Sequence, residues 1–188
     1  MKLELKEFIK SHLDLIDNEQ YEQLYKKYNE TFWFDVKEDG LASPHHLSEF
    51  LLSCNINPLN YVTTVPKHYL SGATLTNIDI PEGIKIIDKH AFSLMQKLPS
   101  VIIPESCIRV EDHAFTCCKE LNTVTILNKN TQFGSKVFSL CFTLLDIYYP
   151  GTINEYRNIM SKDDGQIYTV HCTNGNYIVN RNNEVYSE

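Results

Sequence analysis

A period of 23 residues constrains this chain more tightly than any other feature it has. From Leu75 the sequence reads LTNIDIPEGIKIIDKHAFSLMQK, then LPSVIIPESCIRVEDHAFTCCKE, then LNTVTILNKNTQFGSKVFSLCFT, with nothing inserted between blocks. Leu75, Leu98, Leu121 and Leu144 open successive blocks, and Ile78, Val101, Val124 and Ile147 hold the fourth position. Ile80, Ile103, Ile126 and Tyr149 follow two later, and Pro81, Pro104 and Pro150 one beyond, with Leu127 the exception. Ile87, Val110 and Phe133 recur next, then Ala91, Ala114 and Val137, then Phe92, Phe115 and Phe138. The segment L-x-x-I-x-I alternates apolar and polar residues, which predicts a short, half-buried strand in every block. The proline after it has no N–H for a ladder, so it ends the strand on schedule. The I-x-x-H-A-F-x-x-C half turns the chain back and puts its Phe into the core. One such block cannot bury its own apolar face, whereas stacked blocks share a continuous one. A solenoid of parallel strands about 4.8 Å apart is the expected architecture.

The IP…I…AF…C…L pattern of these blocks resembles the BspA-like class of leucine-rich repeats. The resemblance covers roughly residues 65–162 and is strongest in the two blocks Leu75–Glu120. The third block departs from it, with Leu127 for the proline and Val137 for the alanine before Phe138. Such repeats occur mainly in bacterial, protozoan and mobile-element proteins, and the resemblance implies protein binding or adhesion rather than catalysis.

The flanks read as caps, which a solenoid needs to cover its open ends. Upstream, VPKHYLSGATL echoes IDKHAFSLMQK as the back half of a degenerate block zero. Before it, Leu5, Phe8, Ile9, His12, Leu13 and Ile16 fit one amphipathic helix, and Tyr21, Leu24, Tyr25, Tyr28 and Phe32 a second. A third runs from Ser43 as N-cap, with Pro44 in its first turn, through Leu47, Phe50, Leu51 and Cys54. Downstream, GTINEYRNIMSK replaces the usual return with a helix, and IYTVHCTNGNYIVN reads as a hairpin turning at Asn174-Gly175. The expected fold is therefore an α/β chain: a helical N-terminal unit over residues 1–60, and over 61–188 a short leucine-rich-repeat solenoid of parallel strands with a C-terminal helix and β-hairpin cap.

Charge and cysteines narrow the setting. The 188 residues carry a formal charge of -7, a poor balance for a phosphate-backbone binder, so no direct nucleic-acid contact is expected. No apolar run approaches the roughly 18 residues of a membrane span, and Met1–Lys10 is charged throughout, unlike a secretory signal. The expected setting is cytoplasmic, with reduced thiols. None of Cys54, Cys107, Cys117, Cys118, Cys141 and Cys172 forms a C-x-x-C pair. Met95, Cys118 and Cys141 share one block position, Cys107 aligns with Ile84, and Cys117 with Leu94 and Leu140. Four of the six thiols thus read as packing residues, and neither metal nor cofactor is expected.

No motif carries chemistry. There is no G-x-x-x-x-G-K, G-x-G-x-x-G or H-E-x-x-H, and His68, His90 and His113 recur with the blocks as repeat-position residues. His12 and His171 stand alone, and Asn29-Glu30-Thr31, a glycosylation sequon, falls on an expected helix. A non-enzymatic protein-interaction module is the leading expectation, with no catalytic residues. Sixteen asparagines, with abundant Lys and Ile, point to an AT-rich genome, a hint about source and not mechanism. A short, capped repeat array in a low-GC bacterium or its phage would suit a phage- or mobile-element-encoded binder or inhibitor of a host protein. Two alternatives stand beside it: a small enzyme whose site lies in the N-terminal unit around His45, His46 or His68, and a surface adhesin. If the solenoid binds, strand alternation turns block positions three and five outward. Those are Asn77 and Asp79, Ser100 and Ile102, Thr123 and Thr125, Asp146 and Tyr148. Ile102 and Tyr148 break the polar pattern, and Tyr148 is the expected interface anchor.

Overall fold

Strands form where the alternation is strictest, and they stack at the repeat spacing. In the computed structural model the described residues are Leu52, 57–61, 63–160, 167–180 and 184–187. Their strands are β1 (Thr64–Val65), β2 (Ile86–Ile87), β3 (Ser100–Ile103), β4 (Arg109–Val110), β5 (Thr123–Ile126), β6 (Gln132–Phe133) and β7 (Asp146–Tyr148). Helix α1 (Ile153–Ile159) follows, then β8 (Tyr168–Cys172), β9 (Gly175–Val179) and β10 (Val185–Ser187). One sheet has the order β3-β5-β7-β8-β9-β10, the other β1-β2-β4-β6. Ser100 pairs with Thr123 and Thr123 with Asp146, so one block is one rung. The expected parallel solenoid is the observed one.

Between the sheets the core is a set of columns, each built from one block position. Phe92, Phe115 and Phe138 are buried and stack with ring centroids 5.2 and 5.7 Å apart. Burying a ring of that size stabilises by about 2–3 kcal/mol, so this column alone matters to the fold. Met95, Cys118 and Cys141 are fully buried beside it, as are Ile84 and Cys107. The Cys118 and Cys141 thiols point at the carbonyl oxygens of Phe92 and Phe115, 3.2 and 3.0 Å away. Cys117 does not follow. Its slot faces outward, with Leu94 and Leu140 exposed in the same position, so the expectation that Cys117 packs inside is wrong.

The return half of each block does more than turn. The two-residue strands β1, β2, β4 and β6 make a second parallel ladder, which strand periodicity did not reveal. Thr64 pairs with Ile86, placing the degenerate block zero one rung below the first full block. Beyond this ladder the backbone alternates between two kinds of bond. Ala91 and Ser93 donate within their own block, to Asp88 and His90, while His90, Phe92 and Leu94 donate to Asp112, Ala114 and Thr116 of the next. Holding that alternation puts His68, His90, His113 and Lys136, and likewise Leu94, Cys117 and Leu140, at φ between 56° and 61°. Block zero meets the second of these positions with Gly72 at φ 81°, the residue that enters the left-handed region without a Cβ clash.

Two expectations need correction. Leu75–Ile80 forms no strand, although Ile80 is buried and Leu75 and Ile78 pack on the core. Its neighbour supplies the reason. Asn122 and Leu145 each donate an N–H to the block before, to Pro99 and Asn122 respectively, whereas Pro99 in the equivalent place has no N–H to give. Second, the hairpin turns at Thr173 and Asn174, because Cys172 pairs with Gly175; Gly175 takes φ 132° as the first residue of β9. Leu127, where the other blocks carry proline, donates to the Ile103 oxygen at 3.0 Å, a ladder bond that a proline would forfeit.

The C-terminal cap is as expected in kind. Thr152 and Glu155 form a capping box on α1, with the Thr152 N–H donating to Glu155 Oε2 at 2.8 Å and the Glu155 N–H to Thr152 Oγ1 at 3.4 Å. Ile153, Tyr156 and Ile159 are its buried side. Strand β8 then rejoins the sheet parallel to β7, and β9 and β10 pair antiparallel beyond it. The first two expected helices, His12, His45, His46, Cys54 and the Asn29 sequon lie outside the described residues. Of the third expected helix only Leu52 is described; it is helical and packs on the core.

Candidate recognition face

The outer face of the six-stranded sheet is a two-row array fixed by strand register. One row runs Ser100, Thr123, Asp146, Thr169, Ile178 and Tyr186. The other runs Ile102, Thr125, Tyr148, His171 and Asn176. The alternate residues Val101, Ile103, Val124, Ile126, Ile147 and Val170 are buried, which is why these point out. Six of the eight residues named from sequence therefore share one surface: Ser100, Ile102, Thr123, Thr125, Asp146 and Tyr148. Asn77 and Asp79 are exposed but belong to no strand. Asp79 is instead engaged by Asn57, whose Nδ2 donates to its carbonyl at 2.9 Å.

The face has a centre that sequence reasoning missed. The His171 ring lies flat on the Tyr148 ring, with centroids 4.4 Å apart and planes 13° from parallel. Its Nε2 is 2.7 Å from Asp146 Oδ1 and its Nδ1 is 3.0 Å from Asn176 Oδ1. Tyr148 stays 45% exposed and Ile102, two rungs away, 59%. A signal for β8 was present: adding one repeat to Asp146, Ile147 and Tyr148 lands on Thr169, Val170 and His171, across the helix that interrupts the block. The hairpin residues Asn176 and Ile178 carry no such signal, because the period ends with β8.

A second array of polar side chains has a structural role. His68, His90 and His113 stack at 5.1 and 5.0 Å on the opposite ladder's side of each block. Burial, then the neighbouring His113 and His68, hold the His90 imidazole below its ordinary value. Lys89 Nζ meets Asp112 Oδ2 at 2.8 Å, which lowers the carboxyl and raises the amine. Glu82 accepts from the Glu105 and Ser106 N–H groups, both at 3.0 Å, tying one turn to the next and lowering its own pKa. These contacts hold block to block. Among the described residues no group of three His, Cys, Asp or Glu side chains converges to hold a metal ion, and no helix is long and apolar enough to cross a membrane.

Comparison with known proteins agrees with this geometry. The profile of the BspA type leucine rich repeat region matches residues 54–183, in six copies. The chain belongs to this family. The matched span reaches beyond residues 65–162 at both ends, taking in block zero's approach and the C-terminal hairpin. BspA-type and other leucine-rich repeats generally serve as protein-interaction modules and are typically non-enzymatic. No curated protein matches the chain. Among solved structures, a leucine-rich repeat protein from Bacteroides ovatus ATCC 8483 is similar at 20% identity and a TM-score of 0.46. That similarity takes in 56% of this chain and 28% of the Bacteroides chain, so it spans under a third of that protein's length.

Proposed function

We propose that this chain is a protein-binding module that works without catalysis, and that its recognition surface is the two-row face centred on Tyr148. The observation that carries the reading is the Tyr148–His171 pair: a half-exposed aromatic ring stacked on an imidazole that Asp146 and Asn176 hold in place. A ring already fixed by stacking loses little side-chain entropy when a partner covers it, which is what makes an interface anchor effective. Short polar residues, Ser100, Thr123, Thr125 and Thr169, surround it and leave a flat surface for a partner.

The finer reading is a phage- or mobile-element-encoded binder that blocks a host protein; the asparagine-rich composition bears on its source alone, by pointing to an AT-rich genome. The full chain, immobilised and exposed to extract of the source cell or its host, tests both levels. A protein retained by the parent and weakened by about 1–3 kcal/mol with Tyr148→Ala, at unchanged melting temperature, supports the face. Phe142→Ala is the control. Phe142 is 77% exposed on the turn side of its block, so equal losses from both variants mean generic adhesion rather than recognition at the sheet. Normal binding by Tyr148→Ala places the partner elsewhere.

A further inference from the structure

Both nitrogens of His171 face acceptor oxygens: Nε2 meets Asp146 Oδ1 at 2.7 Å, and Nδ1 meets Asn176 Oδ1 at 3.0 Å. A neutral imidazole has a single N–H, so this arrangement is satisfied only by the doubly protonated ring. We propose that His171 is a proton-operated selector on the recognition face, and that Asn176 is the group it turns over.

The two protonation states demand different partners. With an imidazolium, both N–H groups donate, and Asn176 is held with Oδ1 inward and its NH₂ outward. When the ring loses a proton to solvent, the remaining one stays on Nε2, because a bare Nε2 lone pair against a carboxylate oxygen is repulsive. Nδ1 then becomes an acceptor and needs a donor. Rotation of the Asn176 amide by half a turn supplies it, bringing Nδ2 to Nδ1 and turning Oδ1 outward. Asn176 is exposed at the head of β9, so nothing in its pairing with His171 across the strands prevents the rotation.

Among the described residues, the titratable groups turned toward the imidazole are Asp146 and the Tyr148 phenol, both from β7; β9 contributes uncharged Asn176. Cys172 and Tyr177 lie on the other side of their strands. In the acid state the Asp146 charge is matched, the outward amide is a donor, and the cationic ring lies against the Tyr148 π face. In the neutral state the face gains a net negative charge at Asp146 and shows an acceptor. A partner rich in acceptors fits the first surface, and one rich in donors the second. This deepens the reading of the face as a recognition surface but is tested without a partner, so the two can fail separately.

The experiment follows the ring and the amide in the full chain by ¹⁵N-detected NMR from about pH 8 to pH 5, the span over which histidines titrate. The expected result is that the Asn176 side-chain amide resonances move with the same midpoint as the His171 ring nitrogens, and that the neutral ring is the Nε2–H tautomer. Asp146→Asn should break the link: an amide at 146 can donate to Nε2, the neutral ring can keep its proton on Nδ1 for Asn176 Oδ1, and the Asn176 resonances then stop following the titration. An Asn176 amide that ignores pH in the parent overturns the proposal, as does one that follows His171 equally well in Asp146→Asn. The parent titration stands alone if that variant folds poorly.

Discussion

Phe115 sits between Phe92 and Phe138 with no exposed surface, so its removal leaves a void that neither neighbour can fill without breaking its own rung. Phe115→Ala should destabilise the chain by about 3–5 kcal/mol in urea unfolding, the range for a large core ring truncated in a site that cannot collapse. A variant as stable as the parent would put the ring outside the core. The thiols should separate by slot in the same way. Cys107 is fully buried, and desolvation pushes its pKa up to about 11; Cys172, half-buried, is pushed to about 11 by the same cause. Cys118 and Cys141 are sealed within their column, whereas Cys117 shares an outward slot with Leu94 and Leu140. Among these five, alkylation of the native chain at neutral pH followed by peptide mass spectrometry should label Cys117 first. Early labelling of Cys118 or Cys141 would show the block register to be misplaced.

At the level of the strand, Pro99 decides where the six-stranded sheet begins. Pro99→Ala would restore the N–H that Asn122 and Leu145 use to reach the previous block. One net hydrogen bond is worth about 0.5–1.5 kcal/mol, and the unfolded chain gains freedom worth about 0.4–1 kcal/mol when a proline is lost. The two nearly cancel, so stability should change by less than about 1 kcal/mol, while the new backbone amide at position 99 becomes protected from hydrogen exchange. Open-coil exchange at that amide would mean that something other than the missing donor holds the first block out of the sheet. This is also where reading the sequence met its limit. Four-residue strands such as Ser100–Ile103 carry two inward and two outward side chains, enough for period two to register. Ile86–Ile87, Arg109–Val110 and Gln132–Phe133 carry one inward residue each, and a single apolar residue has no period. The Leu75–Ile80 alternation matched its successors, but a strand needs a donor across the gap, and that donor belongs to the next block. The outward positions of the proposed recognition face were legible for the same reason as the strands; the His171–Asn176 contact was not, because it joins two strands across a turn rather than along the repeat.

Over the whole solenoid, the same inter-block contacts that hold it make it acid-sensitive in two stages. His90 has a folded pKa below its ordinary 6.5, so its contribution is complete above that value and shrinks as pH falls through it. Asp112 and Glu82 are held below their ordinary 3.8 and 4.5, chiefly by Lys89 and by the Ser106 N–H. Glu155 is drawn down to about 2, first by the Thr152 N–H and then by Lys129. Depressed carboxylates contribute above their unfolded values and lose that contribution as pH falls toward the folded ones. The melting temperature should therefore sag between about pH 7 and 5 and drop again below about pH 4.5. His90→Asn, which tolerates the left-handed backbone, should erase the first decline and keep the second. A first decline that survives in that variant would assign it to another group. The last feature of the molecule to bear on its behaviour is the reversal at Thr173–Asn174. A parallel ladder is open to growth, since each finished rung is a template for another of the same polarity, whether from its own chain or a neighbour's. By folding β9 back antiparallel on β8 and β10 back again on β9, the chain covers its last rung with a hairpin that breaks the repeat and leaves only the three residues of β10 at that edge. In the terms of polymer chemistry the hairpin is a chain terminator: past β8 the next strand no longer comes one repeat later, so the last rung is capped by its own chain.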